Sequence, residues 1–238
     1  MKIVLGSNAL ARYPQGGGHW SCFLQYLIGL RALRHDVFWL EILPRSQPEI
    51  DHRRIAIFIT RMRRLGLAEK CAVVLHDGDR PQVLSHETTY GVSFVSLKET
   101  IQETDALWNF HCSIRTPLLH EFKWKALLDV DPGHLQISAL HWDLGIEEHN
   151  LLFSVGSKIN DRDCKIPKLR KNWHAFFPCA HLPLWRVEPP NREAPITSIT
   201  QWTWGEDLPF DGYMLSSSKR DAYLRFLNLP RRCSAKFV

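Results

Sequence analysis

Residues 2–20 read KIVLGSNALARYPQGGGHW, and this stretch decides the fold. Its beginning, residues 2–6, contains the apolar run Ile3-Val4-Leu5, which is typical of a strand buried on both faces. A helical pattern follows over residues 20–34, where Phe23 and several leucines recur on one face. A buried strand that leads through a glycine-rich loop into a helix predicts the first unit of a parallel α/β sheet.

The same alternation continues along the chain. Five further apolar runs predict strands at residues 36–41, 71–76, 106–110, 125–130 and 150–155, and helical patterns occupy residues 51–65, 96–104 and 134–142. Strands that are apolar throughout and separated by helices predict an α/β fold: a doubly wound, mostly parallel Rossmann-like sheet with helices on both faces.

A change of composition near residue 188 predicts the domain organisation. Residues 1–187 are expected to form the Rossmann-like domain, and residues 188–195, with three prolines and no apolar periodicity, a stiff linker. The β-rich run at 196–202 and the helical run at 218–227 are too little to bury a core. Residues 196–238 are therefore expected either to pack back on the first domain or to begin an incomplete second domain.

The loop Gly16-Gly17-Gly18-His19-Trp20 is predicted to bind a small molecule. Glycines permit unusual backbone conformations and let a ligand approach the main chain, and the helix N-terminus suits an anion. His19 titrates near neutral pH and is a candidate proton acceptor. We therefore assign the three glycines and Trp20 to substrate binding and His19 to catalysis. The alternative is a tight crossing with glycines for packing and a surface histidine.

Other candidate residues follow predicted strands, whose carboxyl ends meet at one edge of a parallel sheet. Glu41 ends the second strand and His111 follows the fourth, and both are assigned to substrate binding. Asp131, before Pro132, is a candidate catalytic residue that would orient an acceptor hydroxyl or the base. Its alternative role is to begin a turn, as aspartate before proline often does.

Composition limits the classes of partner. The formal net charge of +5 gathers in arginines on the predicted helix 51–65, which form either a solvated face or a peripheral contact with anionic membrane lipid. The sequence lacks a basic track interleaved with aromatic residues, so nucleic-acid binding is not predicted. The six cysteines lack a CxxC pair and the histidines near Cys179 fit no zinc pattern, so we predict reduced thiols, a cytoplasmic location and no metal.

Three segments resemble the N-terminal half of GT-B-fold glycosyltransferases: residues 2–6, residues 16–19, and the helix end Leu30-Arg31-Ala32-Leu33-Arg34-His35-Asp36-Val37. The last segment is similar to the family's "L..LG.HDV" joint, with Arg34 in place of glycine. The loop at residues 129–132 also resembles one at the cleft edge of the family. As architecture, the resemblance covers about residues 1–185.

The resemblance implies transfer of a sugar from a nucleotide-sugar co-substrate to a small-molecule acceptor, with no other cofactor and His19 as the base of an inverting enzyme. It also implies that the donor is held mainly by a C-terminal domain, whose motif is not found in residues 196–238. The chain is therefore expected to be truncated, and to bind nucleotide sugars weakly or not at all by itself. The missing donor domain also puts the transferase activity of this chain alone in doubt.

Two other functions fit some of the same residues. Gly16-x-Gly18 before a helix, with Glu41 as a ribose-binding acid, suggests an NAD(P)-binding oxidoreductase, although Ser21 stands where the third glycine belongs. A non-catalytic ligand-binding or interaction module is the second alternative.

Overall fold

A computed structural model describes residues 1–78, 80–169, 171–189, 191, 193–200, 202–203, 205 and 207–233. The chain divides into two compact units, Met1–Leu182 and Pro183–Val238. The division falls five residues before the predicted end of the first domain at residue 187.

The first unit contains eight strands and four α-helices among its described residues. The strands are β1 (Lys2–Ser7), β2 (Asp36–Pro44), β3 (Cys71–His76), β4 (Thr89–Gly91), β5 (Ala106–Phe110), β6 (Lys125–Asp129), β7 (Leu151–Ser154) and β8 (Trp173–Ala175). The helices are α1 (Gly17–Ala32), α2 (Pro48–Arg64), α3 (Phe94–Glu103) and α4 (His134–Ser138). The helix predicted at 134–142 is therefore shorter than expected, and β4 and β8 were not predicted.

The strands form one sheet in the order β4-β3-β2-β1-β5-β6-β7-β8. Every neighbouring pair is parallel except β3 and β4, which are antiparallel. Because β2 and β3 lie on one side of β1 while β5, β6 and β7 lie on the other, the sheet is doubly wound. The predicted α/β Rossmann-like fold is confirmed.

Helices cover both faces of this sheet, because successive side chains of a strand point to opposite faces. On β2, Trp39 packs in the cluster that contains α1 and α2, whereas Leu40 packs in the cluster that contains α3. Trp39 and Phe110 are buried completely or almost so, and their rings stack 6.3 Å apart. Truncating either ring to alanine would cost about 3–5 kcal/mol of stability.

The arginine-rich helix α2 presents a mixed surface. Its acidic first turn and basic last turn both complement the helix dipole. Arg61 lies 4.9 Å above the ring of Trp20, and Arg54 is half-buried beside Asp51. Arg53, Arg63 and Arg64 are exposed, so peripheral membrane contact through them stays a prediction.

The second unit differs from expectation. Its strands are β9 (Leu208–Phe210) and β10 (Tyr213–Leu215), which pair as an antiparallel hairpin, followed by α5 (Arg220–Arg225) and α6 (Leu229–Arg232). The strand expected at 196–202 is not formed at residues 197–200 and 202, whereas Ile196 makes a β-bridge, and residue 201 lies outside the described part of the chain. The helix predicted at 218–227 corresponds to α5.

Within the described residues, no helix combines the length and the apolar character that crossing a membrane requires. All six cysteines are free; Cys71 and Cys112 are buried, whereas Cys22 is exposed on α1.

Candidate functional site

The predicted site residues lie at or beside the carboxyl edge of the sheet. Loops that follow parallel strands all emerge at this edge. Chain connections diverge on the two sides of β1, so the crevice between the loops after β1 and β5 is the topological switch point of the fold. Ligands bind at this position in open α/β sheets.

The glycine loop leads into α1 earlier than the sequence predicted. Gly16 is the N-cap residue and α1 begins at Gly17, so His19 lies in the first turn of the helix. The positive-φ glycines of the described chain do not include these three, and the expectation that they serve an unusual backbone conformation is wrong. A Cβ at Gly17 or Gly18 would meet no atom within 4 Å, so the space above this main chain is open.

This open space makes Gly18 a sharp probe. Gly18→Ala should leave the fold intact and raise the free energy of unfolding by up to about 1 kcal/mol, because alanine loses less entropy in a helix. If a substrate approaches the main chain here, the same change should weaken its binding. Urea unfolding and a binding measurement on one preparation test both effects, and unchanged binding would remove Gly18 from the site.

His19 is held in place by its neighbour across the loop. Its ring stacks on Tyr13, with centroids 4.8 Å apart and planes 17° apart. The side chain is half-buried, and burial lowers the pKa of His19 below the ordinary histidine value. At neutral pH the ring is therefore mostly unprotonated and able to accept a proton.

The loop after β5 carries an unusual backbone. His111 and Cys112 have φ values of +52° and +53°, in the left-handed region that residues other than glycine rarely adopt. Each such residue costs of order 1 kcal/mol, and such strain gathers at functional sites. The His111 N–H donates to the Leu128 carbonyl at 3.2 Å, which ties this loop to β6.

Four other titratable side chains lie close enough to His111 to influence its pKa. Burial lowers the pKa of His111 most strongly; Asp129 and Asp131 act in the opposite direction, and His134 and His19 lower it further. Of the predicted site residues, His19 and Asp131 thus lie near enough to His111 to influence its pKa. His19 lies in the first turn of α1, whereas His111 and Asp131 lie in the loops after β5 and β6.

Asp129 organises the turn that carries Asp131. Its buried carboxylate accepts hydrogen bonds from Ser154 Oγ at 2.6 Å, Gln136 Nε2 at 2.7 Å and the Asp131 N–H at 3.0 Å. Asp131 itself is exposed. Asp131 can thus belong to the turn and still present its carboxylate to solvent. The turn role and the catalytic role that the sequence left open for Asp131 are therefore compatible.

Glu41 lies beneath the loop after β1 instead of facing a ligand. Its side chain is completely buried; Oε1 accepts from the Ala11 N–H at 2.9 Å and Oε2 from Trp39 Nε1 at 2.8 Å. Burial raises the pKa of Glu41 to about 7. In this structure Glu41 anchors the loop that leads to His19, and its assignment to direct substrate binding has no accessible carboxylate to support it.

Trp20 is likewise a core residue. Its ring is 5% exposed and packs on Phe58, with centroids 5.9 Å apart. It fixes the first turn of α1 against α2. A ligand above the glycine loop would therefore meet the main chain of Gly17 and Gly18, not the Trp20 ring.

No cluster of three or more His, Cys, Asp or Glu side chains within the described residues is arranged to hold a metal ion. A cavity of about 960 Å³ is an apolar groove at the amino-terminal half of β5, β6 and β7, bordered by Tyr26 and Phe177. It lies at the opposite end of the strands from His19 and His111.

A second cavity was missed by the sequence analysis. It has a volume of about 540 Å³, lies at the carboxyl edge, and includes Arg12, Arg80 and Arg115 in its lining. These arginines are far apart in the sequence. The signal that would have found them is their common position just after β1, β3 and β5.

The carboxyl edge therefore combines a half-buried histidine with a lowered pKa, an open main chain and a strained loop, and the resemblance to GT-B glycosyltransferases stays a prediction. No protein-family model, no curated protein and no solved structure matches this chain.

Proposed function

We propose that the chain acts on the acceptor side of a sugar-transfer reaction, in which His19 takes the proton of an acceptor hydroxyl. The observation that supports the proposal is that His19 and Asp131 both lie near enough to influence His111 at the carboxyl edge of a Rossmann-like sheet. Two of these side chains are histidines whose pKa is lowered by burial. A lower pKa favours the unprotonated ring, which is the form that a general base requires.

The reaction balances without a further co-reactant. The acceptor oxygen attacks the anomeric carbon of a nucleotide sugar, the bond from that carbon to the diphosphate breaks, and the nucleoside diphosphate leaves. The acceptor proton passes to the unprotonated ring nitrogen of His19. Asp131 orients the acceptor hydroxyl, and the open main chain at Gly17 and Gly18 admits the acceptor close to the base.

The buried state of Glu41 favours this proposal over an NAD(P)-binding oxidoreductase. A ribose-binding carboxylate must be reachable by the cofactor. Both oxygens of Glu41 are already bonded, to Ala11 and Trp39. The non-catalytic module would keep the same open loop but would not need an unprotonated histidine beside it.

The experiment is a transfer assay on the purified chain. Uridine, guanosine and adenosine diphosphate sugars are each offered with a pool of sugar acceptors, and nucleoside diphosphate release and the mass gain of an acceptor are measured. Acceptor-dependent transfer that His19→Gln abolishes supports the proposal. Transfer that continues at the same rate in His19→Gln, or a purified chain that binds none of the acceptors by ligand-observed NMR, contradicts it.

A further inference from the structure

The cavity between the loops after β1, β3 and β5 is built for an anion. Asn8 and Arg12 line it from the first loop, His76 and Arg80 from the end of β3 and the loop that follows, and Arg115 from the third. Its volume of about 540 Å³ lies within the range of about 300–1,000 Å³ that small-molecule sites occupy. It lies at the same sheet edge as His19 but takes its side chains from different positions.

The charged residues among the described lining of this cavity are all cationic. Three of them are arginines, and none of the described lining residues carries a carboxylate. The nearby Asp77 is shared between two arginines: Arg45 Nε lies 2.8 Å from Oδ1 and Arg80 Nη1 lies 3.3 Å from Oδ2. One carboxylate therefore faces two cations, and neither Arg12 nor Arg115 has a carboxylate within ion-pair distance in the described chain.

The walls are held rigidly by a buried glutamine. Gln82 is 5% exposed; its Oε1 accepts from the Arg115 N–H at 2.7 Å, and its Nε2 donates to the Ser113 carbonyl at 3.0 Å. The Arg115 backbone is thus fixed before any ligand binds. His76 lines the same cavity, and its buried Nδ1 has no hydrogen-bond partner among the described residues.

We propose that this cavity binds a small molecule through a phosphate group. Guanidinium forks match the oxygens of a phosphate, and several of them together suit a dianion better than a single carboxylate. This inference does not depend on sugar transfer, because it rests on different side chains.

The test uses pyrophosphate as the probe, titrated into the purified chain by calorimetry at constant ionic strength. Arg115→Gln and Arg12→Gln each remove one cavity arginine. Arg64→Gln is the matched control, because Arg64 is exposed in the last turn of α2 and is not a lining residue. Losing one charge-assisted contact should raise the Kd for pyrophosphate about 10–100-fold in the two cavity variants.

Binding that both cavity variants weaken and Arg64→Gln leaves unchanged within about twofold supports the site. Circular dichroism and thermal melting confirm that each variant is folded, and Arg12, which is exposed, serves if Arg115→Gln fails to fold. The proposal is overturned if pyrophosphate does not bind, if Arg64→Gln weakens binding as much as the cavity variants, or if succinate binds as tightly as pyrophosphate.

Discussion

Replacing His19 with glutamine is expected to lower the turnover of sugar transfer by about 10²–10⁴-fold, with little change in KM. Glutamine keeps much of the size and the hydrogen-bonding capacity of the imidazole but cannot accept a proton. His19→Ala should behave alike, since the proposed role is chemical and not steric. The measurement is kcat and KM with whichever donor and acceptor pair the transfer assay identifies.

The pH profile separates a base from a structural histidine. Because burial lowers the pKa of His19, wild-type kcat should be level near neutral pH and fall only on the acidic side, below the ordinary histidine value. This acidic limb should vanish in both variants. The control is His120→Gln, at an exposed ring bonded to Glu148, which should keep turnover within about twofold. Near-normal turnover in both His19 variants would make His19 structural.

Much of the sheet could be predicted because a strand that is buried on both faces has an apolar run as its sequence. β3 and β5 have the bounds expected from their sequences; β1, β2 and β6 differ by one to three residues at one end, and β7 is shorter by one residue at each end. β4 escaped prediction because it is a short edge strand whose residues are partly or fully exposed, so it carries no apolar run. Its Gly91 has φ +98°, and a Cβ there would lie 2.6 Å from the Cys71 carbonyl oxygen.

The position of the candidate residues at one edge of the sheet could be predicted, and the reason is topological. Residues that follow parallel strands meet at one edge, which is why His19, His111 and Asp131 could be grouped from sequence alone. Burial could not be predicted in the same way. Glu41 and Trp20 have residue types suited to ligand binding, yet the packing of the β1–α1 loop and of α2 encloses them.

The strained loop after β5 had no sequence signal. His111 and Cys112 take left-handed conformations without a glycine in either position, so tertiary contacts impose them. Asn109 supplies such contacts: its side chain accepts from the Ile114 N–H at 2.9 Å and donates to the Ile114 carbonyl at 2.8 Å. These two hydrogen bonds join Asn109 to Ile114, five residues later, and restrain the backbone conformation of His111 and Cys112 between them.

Glu41 is expected to make the stability of the chain depend on pH. The pKa of this carboxyl rises from 4.5 in the unfolded chain to about 7 in the folded one, mainly through burial. A group whose pKa is raised by folding contributes stability that is fully present below its unfolded pKa and is lost as pH rises through its folded pKa. The free energy of unfolding should therefore fall by about 3 kcal/mol between pH 4.5 and pH 8 through this group.

Glu41→Gln removes this dependence, because the amide does not titrate. At pH 4.5 the variant should be less stable than wild type by about 1–3 kcal/mol, since the amide NH₂ must face the Ala11 N–H or Trp39 Nε1. By pH 8 the difference should shrink or change sign. Urea unfolding of both proteins at several pH values measures it, and Glu99→Gln on the exposed face of α3 is the control.

The comparison isolates Glu41 because the other titrating groups, including the buried histidines, are common to both proteins and cancel in the difference. Parallel stability curves for wild type and Glu41→Gln would mean that the Glu41 carboxylate keeps an ordinary pKa, and hence that water reaches it in solution. In that case the β1–α1 loop opens in solution, and a ligand above the glycine loop can contact Glu41.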